Sequence, residues 1–471
     1  MSRIVLHGLF SLPEARTLVR LGIPVFIAQM SQMGMAFVDT AMTGQAGAED
    51  MAAVAVAASV WNPVMLFGLG CLLSLPPLSA QLVGGGECRK TAHLMRQGIW
   101  LTAMLSVLLM TFFQIISRYF TAFGLEPRLA ELAGGYLRAM LWGLPGLFLF
   151  VNVRSFLEGF SRTRPAMIIG VLGLILNVPC NYVLIYGKLG FPALGAVGCG
   201  VASAFSYWFM ALCMIFYVRR DASSKSMGPL FAPLWRSVPD EKRIDWAVVR
   251  RIVRVGLPGA LAILFEVSLF AVTALLLAPL GTTTVAGHQI AMNFGGVLFM
   301  VPLSLGITAT IRVGYCLGAG RMRTARTIAW TAMIMGICCA TLNALLTVFF
   351  REQIVLVYNT DPAVVVLAAH LLLYAAAFQV MDAAQAVSIG VLRGYNDTRV
   401  ISAVCFVAYW VIGLPVGYAL ARTHRLGDPW GAAGFWLAYL LALGFGALCY
   451  IVRILYLHRQ DAAKIRSMIG R

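Results

Sequence analysis

Gly, Pro and charged clusters cut this chain into twelve long apolar runs, at about 18–42, 51–83, 97–117, 135–160, 166–186, 196–218, 252–279, 285–317, 328–350, 363–392, 400–421 and 432–458. Each is long enough to cross a hydrocarbon layer, which takes about 20 residues of helix. Lipid offers no partner for unpaired backbone groups, and no run shows the alternation of a barrel strand, so the spans must be helices. With 60% apolar and only 12% charged residues, against roughly 25% charged in soluble domains, the chain lacks the polar side chains to cover a water-facing globule. An all-α integral membrane protein of twelve transmembrane helices follows, with no room for a soluble catalytic domain. The stretch Ile4 to Leu12 is interrupted by His7 and lacks a small-residue cleavage pattern, so it does not read as a signal peptide. The ten cysteines lie mostly inside apolar runs, with Cys338 and Cys339 adjacent, and read as small apolar filling rather than a disulfide or metal framework.

The net charge of +17 is a matter of placement. Assigning Lys and Arg to alternate sides puts 29 of the 36 on the side that holds both termini and the even-numbered connections. The positive-inside rule makes that side cytoplasmic, so the excess charge serves topology and anionic lipid heads rather than nucleic acid. The longest connection, Arg219 to Arg254, contains Pro229, Pro233 and Pro239 and reads as a linker. The expected organisation is a six-helix lobe over 1–218, a cytoplasmic linker over 219–251 and a second six-helix lobe over 252–471.

The two halves repeat. A shift of 234 residues pairs Arg20 with Arg254, Gly22 with Gly256, Pro24 with Pro258, Gly47 with Gly281, Gly84 with Gly318, Gly86 with Gly320 and Arg89 with Arg323. The offset then drifts to 235, where Leu157, Gly159, Thr163 and Arg164 meet Leu392, Gly394, Thr398 and Arg399, and to 236, where Gly195 and Gly198 meet Gly431 and Gly434. An even number of helices per half means that both enter the membrane from the same side, related by an axis along its normal. Two pseudo-symmetric six-helix lobes of this kind are a common plan for secondary transporters.

Three acids stand well inside spans: Asp39, Glu266 and Asp382. An ionisable group there costs at least about 2.5–3.5 kcal/mol on insertion scales and normally faces a cavity or a partner on a path for ions or substrates. The repeat does not demand them, because Asp39 falls opposite Thr273, Glu266 opposite Gln32, and Asp382 opposite Leu147 or Phe148. Phe265 and Phe270 flank Glu266, and Phe378 lies one helical turn before Asp382, where a ring face can meet an organic cation; the same rings also serve as ordinary packing. Asn177 and Asn181, one turn apart, can contact an ion, Asp39 or a neighbouring helix. His288 and Gln289 are weaker candidates of the same sort. Pro24, Pro145, Pro179, Pro258 and Pro302 lie in or near spans and can bend them; a bend near Pro24 would move Asp39 between two settings. The stretch from Gly84 to Thr91 superficially suggests a phosphate loop, yet Arg89 stands before Lys90 where Gly is required, and a span rather than a strand precedes it. An ATP site is rejected, so any uphill transport must draw on an ion gradient unless a separate motor subunit exists.

Phe37-Val38-Asp39-Thr40, the run from Ala286 to Asn293, Val301-Pro302-Leu303-Ser304, Arg312-Val313-Gly314 and Leu392-Arg393-Gly394-Tyr395 together resemble the multidrug and toxic compound extrusion family, specifically its NorM branch, over nearly the whole chain. The resemblance implies a twelve-helix antiporter of the bacterial cytoplasmic (inner) membrane, with both termini cytoplasmic. It would export cationic drugs and dyes in exchange for Na⁺ or H⁺ and contribute to antibiotic resistance, with no enzymatic activity and no cofactor. It further implies that Glu266 and Asp382 form a cation site in the C-terminal lobe, ligating metal only if the coupling ion is Na⁺. Asp39 would work with Asn177, Asn181 and Ser203 in the N-terminal lobe, with Phe378 and Gln289 as further contacts. Some relatives carry Tyr at the position of Phe378 and Asp at that of Asn181; the first change keeps a ring and removes an oxygen. Partners are then organic cations and membrane lipid, with neither nucleic acid nor ATP, and a monomer is expected. A lipid-linked precursor flippase of related helical plan is the alternative, and it would call for a cavity rich in Arg or Lys.

Overall fold

The computed structural model describes residues 10–120, 126–221, 244–423 and 428–470, giving the backbone only at 466 and 468–470. Residues 4–9 of the N-terminal stretch and residues 222–243 of the linker, with its three prolines, lie outside the described residues. Twelve helical spans are long and apolar enough to cross a membrane, as the apolar runs require. In chain order the helices are α1 (Leu12–Ala46), α2 (Ala48–Leu72), α3 (Leu75–Gly84), α4 (Cys88–Ile116), α5 (Pro127–Leu141), α6 (Leu144–Gly159), α7 (Arg164–Tyr186) and α8 (Gly195–Arg220). The second half continues with α9 (Trp246–Leu277), α10 (Thr282–Gly318), α11 (Met322–Tyr358), α12 (Pro362–Gly394), α13 (Thr398–Phe406), α14 (Leu414–Arg422), α15 (Ala432–Arg459) and α16 (Ala462–Gly470).

Two spans of the first half are broken and their counterparts are not. The second span divides into α2 and α3 just before Pro76-Pro77, and the fourth into α5 and α6 just before Pro145, where the imino acids withhold the donor a continuous helix needs. The corresponding α10 and α12 run unbroken, although α10 contains Pro302. The eleventh span is interrupted differently: a π-helical turn, Val407–Gly413, joins α13 to α14.

The backbone carries the repeat where the sequence shift places it. Gly86 and Gly320 have φ of 77° and 72°, Gly195 and Gly431 have 53° and 56°, and Ser161 and Asn396 have 58° and 59°. The last pair closes the same helix end in both halves: Ser161 N donates to Glu158 O and Arg162 N to Leu157 O, while Asn396 N donates to Arg393 O and Asp397 N to Leu392 O.

Two compact units emerge, and they do not follow chain order: Ile23–Ala260 forms one, and Met1–Gly22 with Leu261–Arg471 forms the other. In the first unit the opening turns of α9 are held by Val249 and Ile252, buried in its core, by Ser74 Oγ donating to Ile252 O at 3.0 Å, and by Gly256, whose missing side chain admits the Cys71 backbone. In the second, Leu18 of α1 is fully buried in the core, Glu14 pairs with Arg312 at 2.8 Å, and Ser11 N donates to Thr331 Oγ1 at 3.1 Å. The crossing of α10 and α12 has no room for a side chain at Gly390, which lies against the Gly306 backbone. Thr310 Oγ1 donates to Gly390 O there at 2.7 Å, fixing the register of α12 and of the side chains it carries. All ten cysteines are free thiols.

Candidate functional site

The intramembrane acids lie in two separate sites, one in each unit. In the first, Asp39 on α1 is 7% exposed, and both of its oxygens accept hydrogen bonds: Oδ1 from Asn181 Nδ2 and Oδ2 from Ser203 Oγ, each at 2.6 Å. Asn181 Nδ2 also donates to Asn177 Oδ1 at 3.0 Å, and Asn177 Nδ2 to Ser203 Oγ at 3.4 Å. The four side chains thus close a ring. Helix spacing puts Asn177 and Asn181 on one face of α7. Close packing of α7 on α8, where Gly198 lies against the Leu184 carbonyl and Gly173 leaves space for Met210, brings Ser203 to the same acid. The turn after Asp39 is anchored by Thr43 Oγ1, which donates to Asp39 O at 2.7 Å. Buried Tyr136 and the Tyr207 phenol lie within electrostatic reach of the carboxylate. Asn181 Oδ1 is buried without a protein partner among the described residues.

The second site is built on α9, α12, α13, the π-turn and α15. Asp382 is 7% exposed and Glu266 half-buried; they lie within electrostatic reach of each other, and neither accepts a hydrogen bond or forms an ion pair among the described residues. Around them run polar side chains embedded in an apolar core. Gln385, one turn beyond Asp382, donates to the Tyr409 hydroxyl, and Tyr409 senses both acids. The π-turn carries Tyr409 and also Trp410, whose Nε1 donates to Phe265 O at 3.3 Å beside Glu266. Cys405 Sγ meets Tyr450 OH at 3.1 Å, and that hydroxyl donates to Ile401 O at 2.9 Å; both side chains lie within reach of Glu266. Gln385 Oε1 is buried without a partner among the described residues.

An aromatic cluster adjoins the two acids. Phe378 meets Trp436 and Tyr439 edge-on, with ring centroids 5.7 and 6.4 Å apart, and Phe270 meets Tyr439 at 5.2 Å. His288 meets Trp436 at 5.9 Å. Gln289, by contrast, is exposed and makes no contact with this cluster among the described hydrogen bonds. Sequence reasoning therefore brings together Asp39, Asn177, Asn181 and Ser203 in one site and Glu266, Asp382 and Phe378 in the other. It passes over Tyr409, Gln385, Trp436, Tyr439 and Tyr450, which look like packing residues in any apolar run. It also passes over Glu158, a fourth acid buried near a span end, paired with Arg154 at 2.6 Å, while Arg154 Nη1 donates to Gln29 Oε1 at 3.2 Å.

The described residues contain no group of three or more His, Cys, Asp or Glu side chains able to hold a metal ion. What the second site offers is two carboxylates without hydrogen-bond donors, set among rings: an arrangement suited to a cation that arrives from outside and brings its own charge. The first site offers a carboxylate already saturated with neutral donors.

Comparison with known proteins places this arrangement. The family model MatE matches residues 24–183 and 258–419, one block in each half. Among solved structures, the chain is similar to the eukaryotic MATE transporter AtDTX14, at 20% identity and TM-score 0.86, over 98% of this chain and 99% of the other. A multidrug resistance MATE family transporter of the MOP superfamily, in an outward-facing conformation, matches at 19% identity and TM-score 0.83, over 97% of each chain. A MOP superfamily transporter from Pyrococcus furiosus, described by the reverse polarity of its binding pocket, matches at 20% identity and TM-score 0.83, over 95% of this chain and 97% of the other. These likenesses establish the fold, and the family model covers both halves of the sequence. The chain is a multi-pass membrane protein that belongs to the multidrug and toxic compound extrusion (MATE) family, whose members are secondary transporters and not enzymes.

Proposed function

We propose that this chain exports organic cations across a bacterial cytoplasmic membrane in exchange for inward Na⁺ or H⁺, with both termini cytoplasmic, after the manner of the NorM branch. The observation that carries this reading is the pair Glu266 and Asp382: two acids held in two spans with no ion-pair partner among the described residues and with the cluster of Phe378, Trp436 and Tyr439 adjoining through Phe378, one turn from Asp382. Cargo and coupling ion neutralise the same carboxylates in turn, so that binding of one releases the other. A desolvated carboxylate attracts a bulky, weakly hydrated cation more strongly than a water-exposed charge does. Ring faces add cation–π contact without strict demands on shape, which supports a broad range of cationic drugs and dyes and a role in antibiotic resistance. If Na⁺ is the coupling ion, the free Gln385 Oε1 supplies a neutral oxygen one turn from Asp382. The site works within one chain and needs no nucleotide. Gradient-driven dye efflux in everted vesicles tests the reading: Glu266→Gln and Asp382→Asn should each lose it, and normal efflux in both would overturn the proposal.

A further inference from the structure

Arg393 was counted from the sequence among the loop cations, yet it ends α12 on the face that carries Asp382. Eleven residues separate the two, three helical turns within about 20°, or a rise of about 16 Å. The guanidinium lies within electrostatic reach of Glu266, and of Cys405 and Tyr450, which line the same side. The side chain is half-buried; its Nε is buried without a hydrogen-bond partner, and it forms no ion pair among the described residues. The matched position in the other half shows how such a charge is ordinarily settled. By the 235-residue offset Arg393 corresponds to Glu158, which lies against Arg154 one turn earlier at 2.6 Å. The position matching Arg154 in the second half is Ile389. Arg393 therefore has no partner on its own helix, and the carboxylate that faces it is that of Glu266.

We propose that Arg393 is a specificity-determining residue of the cation site, an internal cation that offsets one of its two carboxylates and sets the site to accept a single net positive charge. Two ionised acids alone would present two negative charges and favour dications. With Arg393 within reach of Glu266 the site presents one, so that a monovalent organic cation is both held and released. This inference rests on the cation-binding reading above, and Arg393 acts through Glu266 rather than by touching cargo.

The test is equilibrium binding of tetraphenylphosphonium, a monocation, and methyl viologen, a dication, to the purified full-length protein. In Arg393→Gln, the affinity ratio should shift toward the dication by about tenfold or more, as one unbalanced charge at this range requires; Arg393→Lys should keep the wild-type ratio. Retention of the wild-type ratio in Arg393→Lys, while the neutral variant shifts it, is an outcome that a merely structural role for Arg393 would not produce. Arg393→Met, neutral and of similar length, replaces the Gln variant should that fail to purify as a single species. An unchanged ratio in the neutral variants, or an equal change in Arg393→Lys, overturns the proposal. If wild type binds the monocation and Glu266→Gln abolishes that binding while Arg393→Gln leaves the ratio unchanged, this inference alone falls. If wild type binds neither probe, both readings fall.

Discussion

The two buried-acid sites occupy halves that repeat each other, yet they are built in opposite ways. Asp39 is enclosed by donors: Asn181, Ser203 and, through them, Asn177 complete a ring that satisfies both carboxylate oxygens. Glu266 and Asp382 accept no hydrogen bond among the described residues; they lie within electrostatic reach of each other, and Glu266 of Arg393 as well. The repeat makes the contrast sharper. Asp39 corresponds to Thr273 and Ser203 to Tyr439, and these two counterparts are buried neighbours whose hydroxyls have no hydrogen-bond partner among the described residues. Where the first half holds a charge in a polar ring, the second holds a neutral pair beside an aromatic cluster, and its acids lie elsewhere on the helices. One charge is thus part of the local architecture, whereas the other two are left for something mobile to neutralise.

That difference has its largest expected consequence in stability. Asp39→Ala orphans two donors bound to a charged acceptor, each bond worth about 1.5–3 kcal/mol, so the melting temperature in detergent should fall by many degrees. Asp382→Asn removes a buried acid that accepts no hydrogen bond among the described residues and lies within reach of a second carboxylate, and its melting temperature should hold or rise even as cation binding is lost. A matching fall in both would erase the distinction. Next comes Gly390→Ala, which forces a side chain into the α10–α12 crossing and should cost about 1–3 kcal/mol; because the crossing sets the register of Asp382, tetraphenylphosphonium affinity should drop along with stability. Ser203→Ala deletes one of the two bonds to Asp39 and should cost about 1.5 kcal/mol, leaving cation binding at Glu266 and Asp382 intact, as a calorimetric titration would report.

The smallest effect lies outside the spans. Burial is the largest single influence on the Asp245 carboxyl and pushes it up, but hydrogen bonds from His93 and from the backbone N–H groups of Val248 and Ala247 together outweigh it and hold the group below the usual carboxylate range. Its stabilising contribution is therefore complete above the unfolded value, about 3.9, and lost as pH falls through the lower folded value. Asp245→Asn should flatten that acid limb of the melting curve and leave neutral-pH stability nearly unchanged.

How much of this was legible depended on what each residue costs. Asp39, Glu266 and Asp382 stand out in the sequence because an acid in an apolar run demands an explanation, and Asn177 with Asn181 stands out by spacing. Twelve spans and the repeat were equally open to reading. Tyr409, Trp436, Tyr439 and Tyr450 were not, since an aromatic ring in a span is at home whether or not its hydroxyl or indole meets a functional group. Arg393 was hidden because the apolar run at 363–392 stops one residue before it while α12 continues to Gly394, and Glu158 because it stands two residues from the end of the run at 135–160. The breaks before Pro76 and Pro145 follow from proline chemistry, but nothing in the sequence signals that Pro302 leaves α10 unbroken. The grouping of Met1–Gly22 with the later residues depends on packing, through Leu18 and the Glu14–Arg312 pair, and so has no one-dimensional signature.

The paired left-handed residues, Gly86 with Gly320, Gly195 with Gly431 and Ser161 with Asn396, bear on ancestry. After a duplication, side chains are free to diverge in chemistry, as Glu158 and Arg393 have done, but a turn that reverses the chain at a membrane surface tolerates few alternatives. The common origin of the halves is therefore preserved in punctuation rather than in vocabulary, and searches for distant kin of such transporters gain most by weighting those turns.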